Sequence, residues 1–393
     1  MSAHVLGDLC ELVVDCKNRT PPEAPPGEGI AFAIGTPHVL DGRIRLQDAK
    51  PVTQETFDTW TARAIPRVGD VVLTREAPVG RVGRVEEGMR ICLGQRTMLL
   101  RADSKRADAR YLKYLLLSPE VQSTLHAHAS GSTVAHLRVA QVRTLPIPSA
   151  PPLEAQRAIG DLLGALDDKI AVNERIAATA EDLCRAIFSE QSWEARTTVE
   201  SIAILRKEQV APQALSEPQV AHYSLPAFDS GAMPEMTDPR SIKSSKFVVR
   251  HPSVLLSKLN PDIPRVWNVS PHRKFTALAS TEFLVLEPRN GVTTAELWAV
   301  LSQPQLLGDL ASKVTGTSKS HQRVRPAEVM TSHVVDPRDL GDARGQARAL
   351  VGRVMQARNE SRKLADLRDT LLPQLMSGKL RVRDAEKIVE DAV

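Results

Sequence analysis

Apolar residues recur at alternating spacings of three and four through the centre of the chain, within residues 151–190. A proline-rich stretch ending at Pro152 comes first, and proline is tolerated in the first turn of a helix but not in its interior. The stripe consists of Ile159, Leu162, Leu166, Asn173, Ile176, Ala180, Leu183 and Ile187, with Leu163, Ile170, Ala177 and Cys184 beside it. Lys169 breaks the pattern. The stripe predicts a long amphipathic helix that packs against a partner helix.

A second stripe with the same spacing predicts the partner helix near the end of the sequence, within residues 337–393. Its members are Ala347, Leu350, Val354, Ala357, Ser361, Leu364 and Leu371. Across both stripes, the residues expected to pair the helices are Ile159, Leu162, Leu166, Ile176, Leu183, Leu350, Val354, Leu364 and Leu371. Two ordinary core helices would give the same spacing, but most globular helices are shorter, at about 11–12 residues.

The regions that precede the two predicted helices resemble each other. Residues 1–150 read as short strands at 31–34, 71–73, 82–85 and 97–100, followed by helices at 109–117 and 119–128. At an offset of 185, GSTVAHLRV (131–139) matches GTSKSHQRV (316–324) in its Gly, His, Arg and Val. At an offset of 183, residues 73–75 match 256–258 in type. Several matches in order, at nearly one offset, indicate a tandem repeat.

The expected architecture is an α/β (α+β) fold with two domains in a tandem pseudo-two-fold repeat, separated by two long antiparallel coiled-coil helices. The predicted segments are a first domain at 1–150, a central helix at 151–190, a second domain at 191–336, and a terminal helix and tail at 337–393. Two similar modules held a helix length apart suit a partner with two half-sites. DNA is such a partner, since dimeric binders contact half-sites about 34 Å apart.

Composition narrows the classes of function. The formal net charge of +4 is mildly basic, which is compatible with a nucleic-acid partner without requiring one. The four cysteines form no CxxC pair and indicate neither a zinc site nor a disulfide framework. No apolar run approaches the roughly 20 residues that span a membrane, and the N-terminus has no signal-peptide pattern. A cytoplasmic protein without a membrane partner is therefore expected.

Motifs for catalysis are missing from the sequence. There is no Gly-x-Gly-x-x-Gly after a strand, no Walker loop, and no Asn-Pro-Pro-aromatic stretch of the kind an adenine methyltransferase needs. Asp262 with Glu282 faintly resembles a nuclease carboxylate pair, but Leu284 stands where the accompanying lysine is expected. The histidines have no metal-ligand spacing. We therefore expect no catalytic residue and no metal site in this chain.

Binding chemistry remains, in basic and polar clusters of both repeats. Arginine, hydroxyls and backbone amides are the usual phosphate ligands, whereas Asn and Gln suit adenine and Arg suits guanine. The candidate DNA-binding residues are Thr74, Arg75, Arg81, Arg84, Ser132, Thr133, His136, Arg138, Lys243, Lys246, Ser257, Lys258, Asn260, Arg265, Thr317, Ser318, Lys319, His321, Gln322 and Arg323. The alternative is that these residues do not bind DNA. The loops at Gly131 and Gly316 would then only turn the chain, and the remaining candidates would be ordinary solvated surface residues.

Several stretches resemble the specificity subunit of type I restriction-modification systems. PPLEAQRAI (151–159) is similar to the start of the family's first spacer helix, although Glu154 and Ala155 stand in the order Glu-Ala rather than x-Glu. LLPQLMSGKLRV (371–382) is similar to the end of the second spacer helix. HYSLPAFDSG (222–231), IKSSKF (242–247) and VLLSKLNPDIPRVW (254–267) look like one recurrent type of target-recognition domain. The second copy lacks a clear Pro-Pro-Leu start before Asp336.

This resemblance implies two target-recognition domains, each reading one half of a split sequence in double-stranded DNA, with the helices setting the gap. Two methyltransferase subunits carrying S-adenosylmethionine would dock along the helices, and restriction and translocase subunits would join them. The chain itself would bind no cofactor, and ATP and Mg would belong to the partner subunits. The alternatives are a self-contained DNA methyltransferase or nuclease, and a coiled-coil scaffold that does not touch DNA.

Overall fold

The computed structural model describes residues 4–129, 136–189, 196–271, 274–314 and 322–392. The chain divides into two compact units. Unit 1 comprises Met1–Ile170 and Arg362–Val393, and unit 2 comprises Ala171–Ser361. Each unit therefore contains one α/β domain and a segment of both long helices.

The elements of unit 1 fall into two small sheets with helices around them. The strands are β1 (Cys10–Asp15), β2 (Ala31–Ile34), β3 (Val39–Leu40), β4 (Gly42–Ile44), β5 (Lys50–Val52), β6 (Val71–Arg75), β7 (Val79–Arg84), β8 (Ile91–Leu93) and β9 (Thr97–Ala102). The helices are α1 (Gln54–Trp60), α2 (Ala109–Leu117), α3 (Pro119–His128), α4 (Val139–Arg143) and the first part of α5 (Leu153–Ser189). One sheet has the order β1-β9-β6-β7-β4-β3, and the other has the order β5-β2-β8.

Unit 2 repeats the two sheets and adds a two-stranded sheet. The strands of unit 2 are β10 (Arg196–Thr198), β11 (Ala203–Arg206), β12 (Gln209–Val210), β13 (Val220–Tyr223), β14 (Glu235–Thr237), β15 (Lys246–Val248), β16 (Ser253–Ser257), β17 (Val266–Val269), β18 (Ala277–Ala279), β19 (Phe283–Pro288) and β20 (His333–Val335). The two repeated sheets have the orders β11-β19-β16-β17 and β12-β15-β18-β13-β14, and the added sheet consists of β10 and β20. Its helices are α6 (Val199–Ile202), α7 (Leu225–Asp229), α8 (Thr294–Leu301), α9 (Pro304–Ser312), α10 (Pro326–Thr331) and the first part of α11 (Asp342–Met376). The final helix, α12 (Val382–Ala392), belongs to unit 1.

Strand order proves the repeat more directly than sequence does. The order β1-β9-β6-β7 in unit 1 recurs as β11-β19-β16-β17 in unit 2. The order β5-β2-β8 recurs as β14-β13-β18, again with one antiparallel and one parallel pair. The predicted tandem α/β fold is confirmed.

Local sequence explains where the helices of the first domain begin and end. The Asp108 carboxylate accepts a hydrogen bond from the Tyr111 amide at 3.0 Å and so caps α2. The break between α2 and α3 falls at Ser118-Pro119, because proline fits only the first turn of the new helix. Both helices have the bounds that the sequence predicts.

The two long helices pack against each other within each unit. In unit 1, buried residues of α5 and α11 share one core with the first α/β domain: Ile159, Leu163, Leu166, Ile170, Leu364, Leu371, Leu372 and Leu375. In unit 2, Ala177 and Ala180 cluster with Val354 and Ala357. Later α5 residues, Cys184 and Phe188, join a core with the earlier α11 residues Ala343, Ala347 and Val351. The order is reversed between the helices, so they run antiparallel.

The pairing seam of α5 differs from the predicted one by a small rotation. Leu163, Ile170, Ala177 and Cys184, expected beside the seam, are buried in it. Leu183, expected in the seam, is 49% exposed, and Leu162 and Ile176 are only partly buried. The physical reason is Lys169. The predicted seam would bury its charge, whereas the observed seam places Ile170 there and leaves Lys169 exposed.

Candidate nucleic-acid interface

In unit 1, the turn between β6 and β7 is held by backbone hydrogen bonds centred on Arg75. The Arg75 amide donates to the Arg96 carbonyl at 2.9 Å, and its carbonyl accepts from the Leu137 amide at 2.9 Å. A β-bridge joins Glu76 to His136 beside it. These bonds tie the hairpin to the end of the loop that precedes α4. We call this arrangement the clamp.

Unit 2 contains the same clamp, centred on Lys258. The Lys258 amide donates to the Glu282 carbonyl at 2.8 Å, and its carbonyl accepts from the Val324 amide at 3.1 Å. The accompanying β-bridge joins Leu259 to Arg323. In both units the clamp residue is basic and partly exposed, so each domain places one basic side chain at the junction of hairpin and loop.

Two of the predicted DNA ligands instead shape these hairpins. The Thr74 hydroxyl donates to the Pro78 carbonyl at 2.6 Å and accepts from the Arg81 amide at 2.9 Å. The Ser257 hydroxyl donates to the Leu259 carbonyl at 3.0 Å. Both side chains are buried. The structure therefore contradicts the prediction that Thr74 and Ser257 contact DNA, because their hydroxyls stabilise the turns.

Carboxylates hold several of the predicted arginines in unit 1. Arg84 makes two bonds to Glu86, at 3.0 and 2.6 Å, and its side chain is mostly buried. Arg75 lies 3.4 Å from Asp15, which also pairs with Arg63. The Arg81 guanidinium donates to the Thr36 carbonyl at 3.1 Å. These bonds hold the three arginine side chains against the surface of the domain.

Two predicted arginines of unit 2 are also in bidentate ion pairs. Arg265 binds Asp229 at 2.6 and 2.9 Å, and Arg323 binds Glu282 at 3.0 and 2.9 Å. Hydrogen bonding to Arg323 lowers the pKa of the Glu282 carboxyl below its ordinary value. Glu282, weighed above as a nuclease carboxylate, is thus occupied by an arginine. Among the described residues, no group of His, Cys, Asp and Glu is arranged to hold a metal ion.

Lys246 is buried rather than exposed as a DNA ligand requires. Only 7% of the residue is exposed, and its amine donates to the Ser244 carbonyl at 3.0 Å and to the Ser244 hydroxyl at 2.6 Å. Burial lowers its pKa. Lys246 therefore supports the adjoining loop, on which Lys243 is exposed. This placement contradicts a direct contact from Lys246 and leaves Lys243 as the available cation.

The remaining predicted residues divide into those near a clamp and those outside the described residues. His136, Asn260 and Gln322 are partly exposed at the clamps, and the Asn260 amide donates to the Gln322 carbonyl at 3.0 Å. Arg138 is exposed directly after the unit 1 clamp. Those that lie outside the described residues are Ser132, Thr133, Thr317, Ser318, Lys319 and His321.

The structure also revises the residue correspondence between the repeats. Leu137 and Val324 make the same bond in the two clamps, so the matching offset there is two residues larger than the one read from the sequence. Arg138 consequently corresponds to Arg325, not to Arg323. The sequence match at an offset of 185 therefore did not pair the residues that correspond in the structure.

Sequence reasoning missed a buried carboxylate that anchors the first domain to its helices. Asp167 of α5 accepts bonds from Lys113 at 2.6 Å, from the Tyr114 hydroxyl at 2.6 Å and from Arg368 of α11 at 2.7 Å. Arg43 donates to its backbone carbonyl. Burial alone would raise the pKa of Asp167, but the charges of Lys113 and Arg368 hold it below its ordinary value. The carboxylate thus joins α2, α5 and α11, and the backbone carbonyl of the same residue holds β4.

Unit 2 has an equivalent anchor built from a different helix. Glu296 of α8 is fully buried, accepts from the Thr293 amide at 2.7 Å, and binds Arg344 at 2.6 Å and Arg348 at 2.9 Å. Burial would raise the pKa of Glu296, but the hydrogen bonds from Arg344 and Thr293 lower it. The only feature of the sequence that could have indicated this anchor is the charged residue Glu296 within the otherwise apolar α8.

The fold is similar to that of a solved specificity subunit. Over 95% of each chain, the structure is similar to the S subunit of a type I restriction-modification system from M. genitalium, with 17% identity and a TM-score of 0.54. A second similarity, to the HsdS subunit from Thermoanaerobacter tengcongensis, has 16% identity and a TM-score of 0.36, over 96% of this chain and 97% of that one. No curated protein sequence matches the chain. The first similarity defines the class of fold, which is that of a type I S subunit.

A family model matches the sequence of the first domain and most of α5. Residues 5–182 match the type I restriction modification DNA specificity domain. Residues 5–182 are thus similar in sequence to this DNA specificity domain, and the whole chain is similar in fold to a type I S subunit. In the part of the chain that the structure describes, no helix is both long and apolar enough to cross a membrane.

Proposed function

We propose that this chain is the DNA sequence-specificity subunit of a type I restriction-modification complex, and that each recognition domain reads one half of a bipartite target in double-stranded DNA. The observation that carries the proposal is the repeated clamp. Each domain uses backbone bonds to hold a β-hairpin against a loop and places a basic residue, Arg75 or Lys258, at their junction. A rigid frame of backbone bonds with variable side chains suits two half-sites of different sequence.

The paired helices α5 and α11 would set the gap between the half-sites and dock two methyltransferase subunits. Restriction and translocase subunits would complete the complex. This chain would be non-catalytic, with S-adenosylmethionine on the methyltransferase subunits, and ATP and Mg on partner subunits. Its expected location is the cytoplasm, where the DNA lies.

The direct test is a genome-wide map of methylated adenine in cells that express this chain with its methyltransferase partner. We expect a two-part motif with a fixed gap that disappears when this chain is omitted. Binding of S-adenosylmethionine to the isolated chain would favour a self-contained methyltransferase instead. If the partners co-purify and no new methylation appears, the DNA-recognition role is wrong and a scaffold role takes its place.

A further inference from the structure

Two exposed arginines occupy the same position in the two recognition domains. Arg138 follows Leu137 of the unit 1 clamp, and Arg325 follows Val324 of the unit 2 clamp. The carbonyl of Arg138 accepts from the Val142 amide at 3.1 Å, and that of Arg325 accepts from the Val329 amide at 3.4 Å. The backbone therefore holds both residues between the clamp and the buried valine that follows.

Their side chains differ from those of the other arginines around the clamps. Arg84, Arg265 and Arg323 are each bound by a carboxylate in bidentate fashion. Arg138 and Arg325 are exposed, and neither makes an ion pair with another described residue. An arginine already bound by a carboxylate loses much of its attraction for another anion, whereas these two retain their full charge.

Equivalent placement in both repeats is the second argument. The residues around the clamps have diverged widely: Arg75 corresponds to Lys258, Glu76 to Leu259 and Arg96 to Glu282. At the position after the clamp, both domains nevertheless carry the same exposed side chain. Side chains that read different bases differ between domains, whereas a contact to the sugar-phosphate backbone is the same at every sequence.

We propose that Arg138 and Arg325 are corresponding positioning residues, each binding a DNA backbone phosphate beside its half-site. This assignment rests on the proposed function and adds to it, since Arg325 is not among the residues that the sequence singled out. It also separates Arg325 from Arg323, whose guanidinium is bound to Glu282. Each arginine would fix the register of its domain on the duplex without selecting a base.

The test measures DNA affinity against salt concentration, using the complex with its methyltransferase subunits and a duplex that contains the methylated motif. Each phosphate contact contributes about 0.9 to the slope of log affinity against log salt. We expect Arg138→Ala and Arg325→Ala each to reduce the slope by about 0.9, and the double variant to reduce it by about twice that. The methylated motif should stay the same. Arg138→Lys and Arg325→Lys should largely keep the slope, because lysine also binds phosphate as a point charge.

The matched controls are Arg106→Ala and Arg289→Ala, which remove the same charge from an exposed site in each unit. These arginines follow β9 and β19 at the ends remote from the clamps. They should leave the slope unchanged. An unchanged slope in the Arg138 and Arg325 alanine variants would overturn the assignment. A change of base preference at one motif position would overturn it too, since it would indicate base reading. Failure of the wild-type complex to recognise any bipartite motif would remove the proposed function itself.

Discussion

Replacing Asp167 with alanine tests the anchor of the first α/β domain most severely. The residue is 4% exposed, and its carboxylate accepts bonds from Lys113, Tyr114 and Arg368. Its removal leaves the ammonium group of Lys113, a residue only 5% exposed, without a carboxylate. Breaking a buried ion pair from one side costs about 3–5 kcal/mol. In a unit of this size, where 1 kcal/mol shifts Tm by about 2–4 °C, we expect Tm to fall by roughly 6–20 °C.

Asp168 provides the matched control for this measurement. It is the next residue of α5, but its carboxylate is exposed and lies 3.8 Å from Arg110. Asp168→Ala should therefore change the free energy of unfolding by less than about 1 kcal/mol in a denaturant titration. Adding Lys113→Met to Asp167→Ala should recover part of the loss, because an apolar replacement of both charges is often nearly neutral. Equal, small losses for Asp167→Ala and Asp168→Ala would refute the anchor.

The lowered pKa of Asp167 adds a pH dependence with a definite sign. A carboxyl whose pKa is lower in the folded protein contributes stability that is fully present above its unfolded value, about 3.9 for Asp. That contribution is lost as pH falls through the folded value. The stability difference between wild type and Asp167→Ala should be constant near neutral pH and narrow below about pH 4. A difference that widened in acid would contradict this assignment of charge.

Three further outcomes are expected. Leu166→Asp should destabilise the protein by several kcal/mol, because it buries a charge in the seam. Leu183→Asp, on the exposed side of the same helix, should cost less than about 1 kcal/mol. Similar Tm values for the two variants would contradict the observed seam. Thr74→Val should cost about 1–3 kcal/mol, since the Arg81 amide and the Pro78 carbonyl lose a buried partner. Its control in the same denaturant titration is Thr124→Val, at a partly exposed position of α3. A seven-residue insertion in both α5 and α11 lengthens the helices by about 10 Å. The gap in the methylated motif should therefore grow by about three base pairs. An unaltered gap would rule out a spacer role.

The fold could be predicted from the sequence because its signals are local or periodic. The bounds of α2 and α3 follow from the Asp108 cap and from Ser118-Pro119, and the seams of α5 and α11 follow from apolar spacing. The rotation of the α5 seam was missed because two adjacent apolar stripes are available. Only the packing, which leaves Lys169 exposed, decides between them.

The site was less predictable because the partner of a charged residue is set by tertiary structure. Nothing in the sequence pairs Arg265 with Asp229, or Arg84 with Glu86 in preference to another acid. The sequence suggests that Lys246 is a surface cation, but in the structure its amine is bonded to Ser244. The loop before Val324 is longer than the one before Leu137, and a sequence match at a single offset therefore aligned Arg138 with the wrong arginine.

The two repeats show which part of the α/β domain is held constant and which part varies. The clamp consists of backbone bonds, which any side chain permits, so Arg75 can correspond to Lys258 and Arg96 to Glu282 without loss of the frame. The anchors vary as well. Unit 1 takes its carboxylate from the long helix, at Asp167, and unit 2 takes it from the domain, at Glu296. Because backbone geometry carries the fold, the side chains around the two clamps can differ without changing it. That freedom explains why the architecture could be predicted from this sequence, whereas the bases that the proposed function requires each domain to read could not.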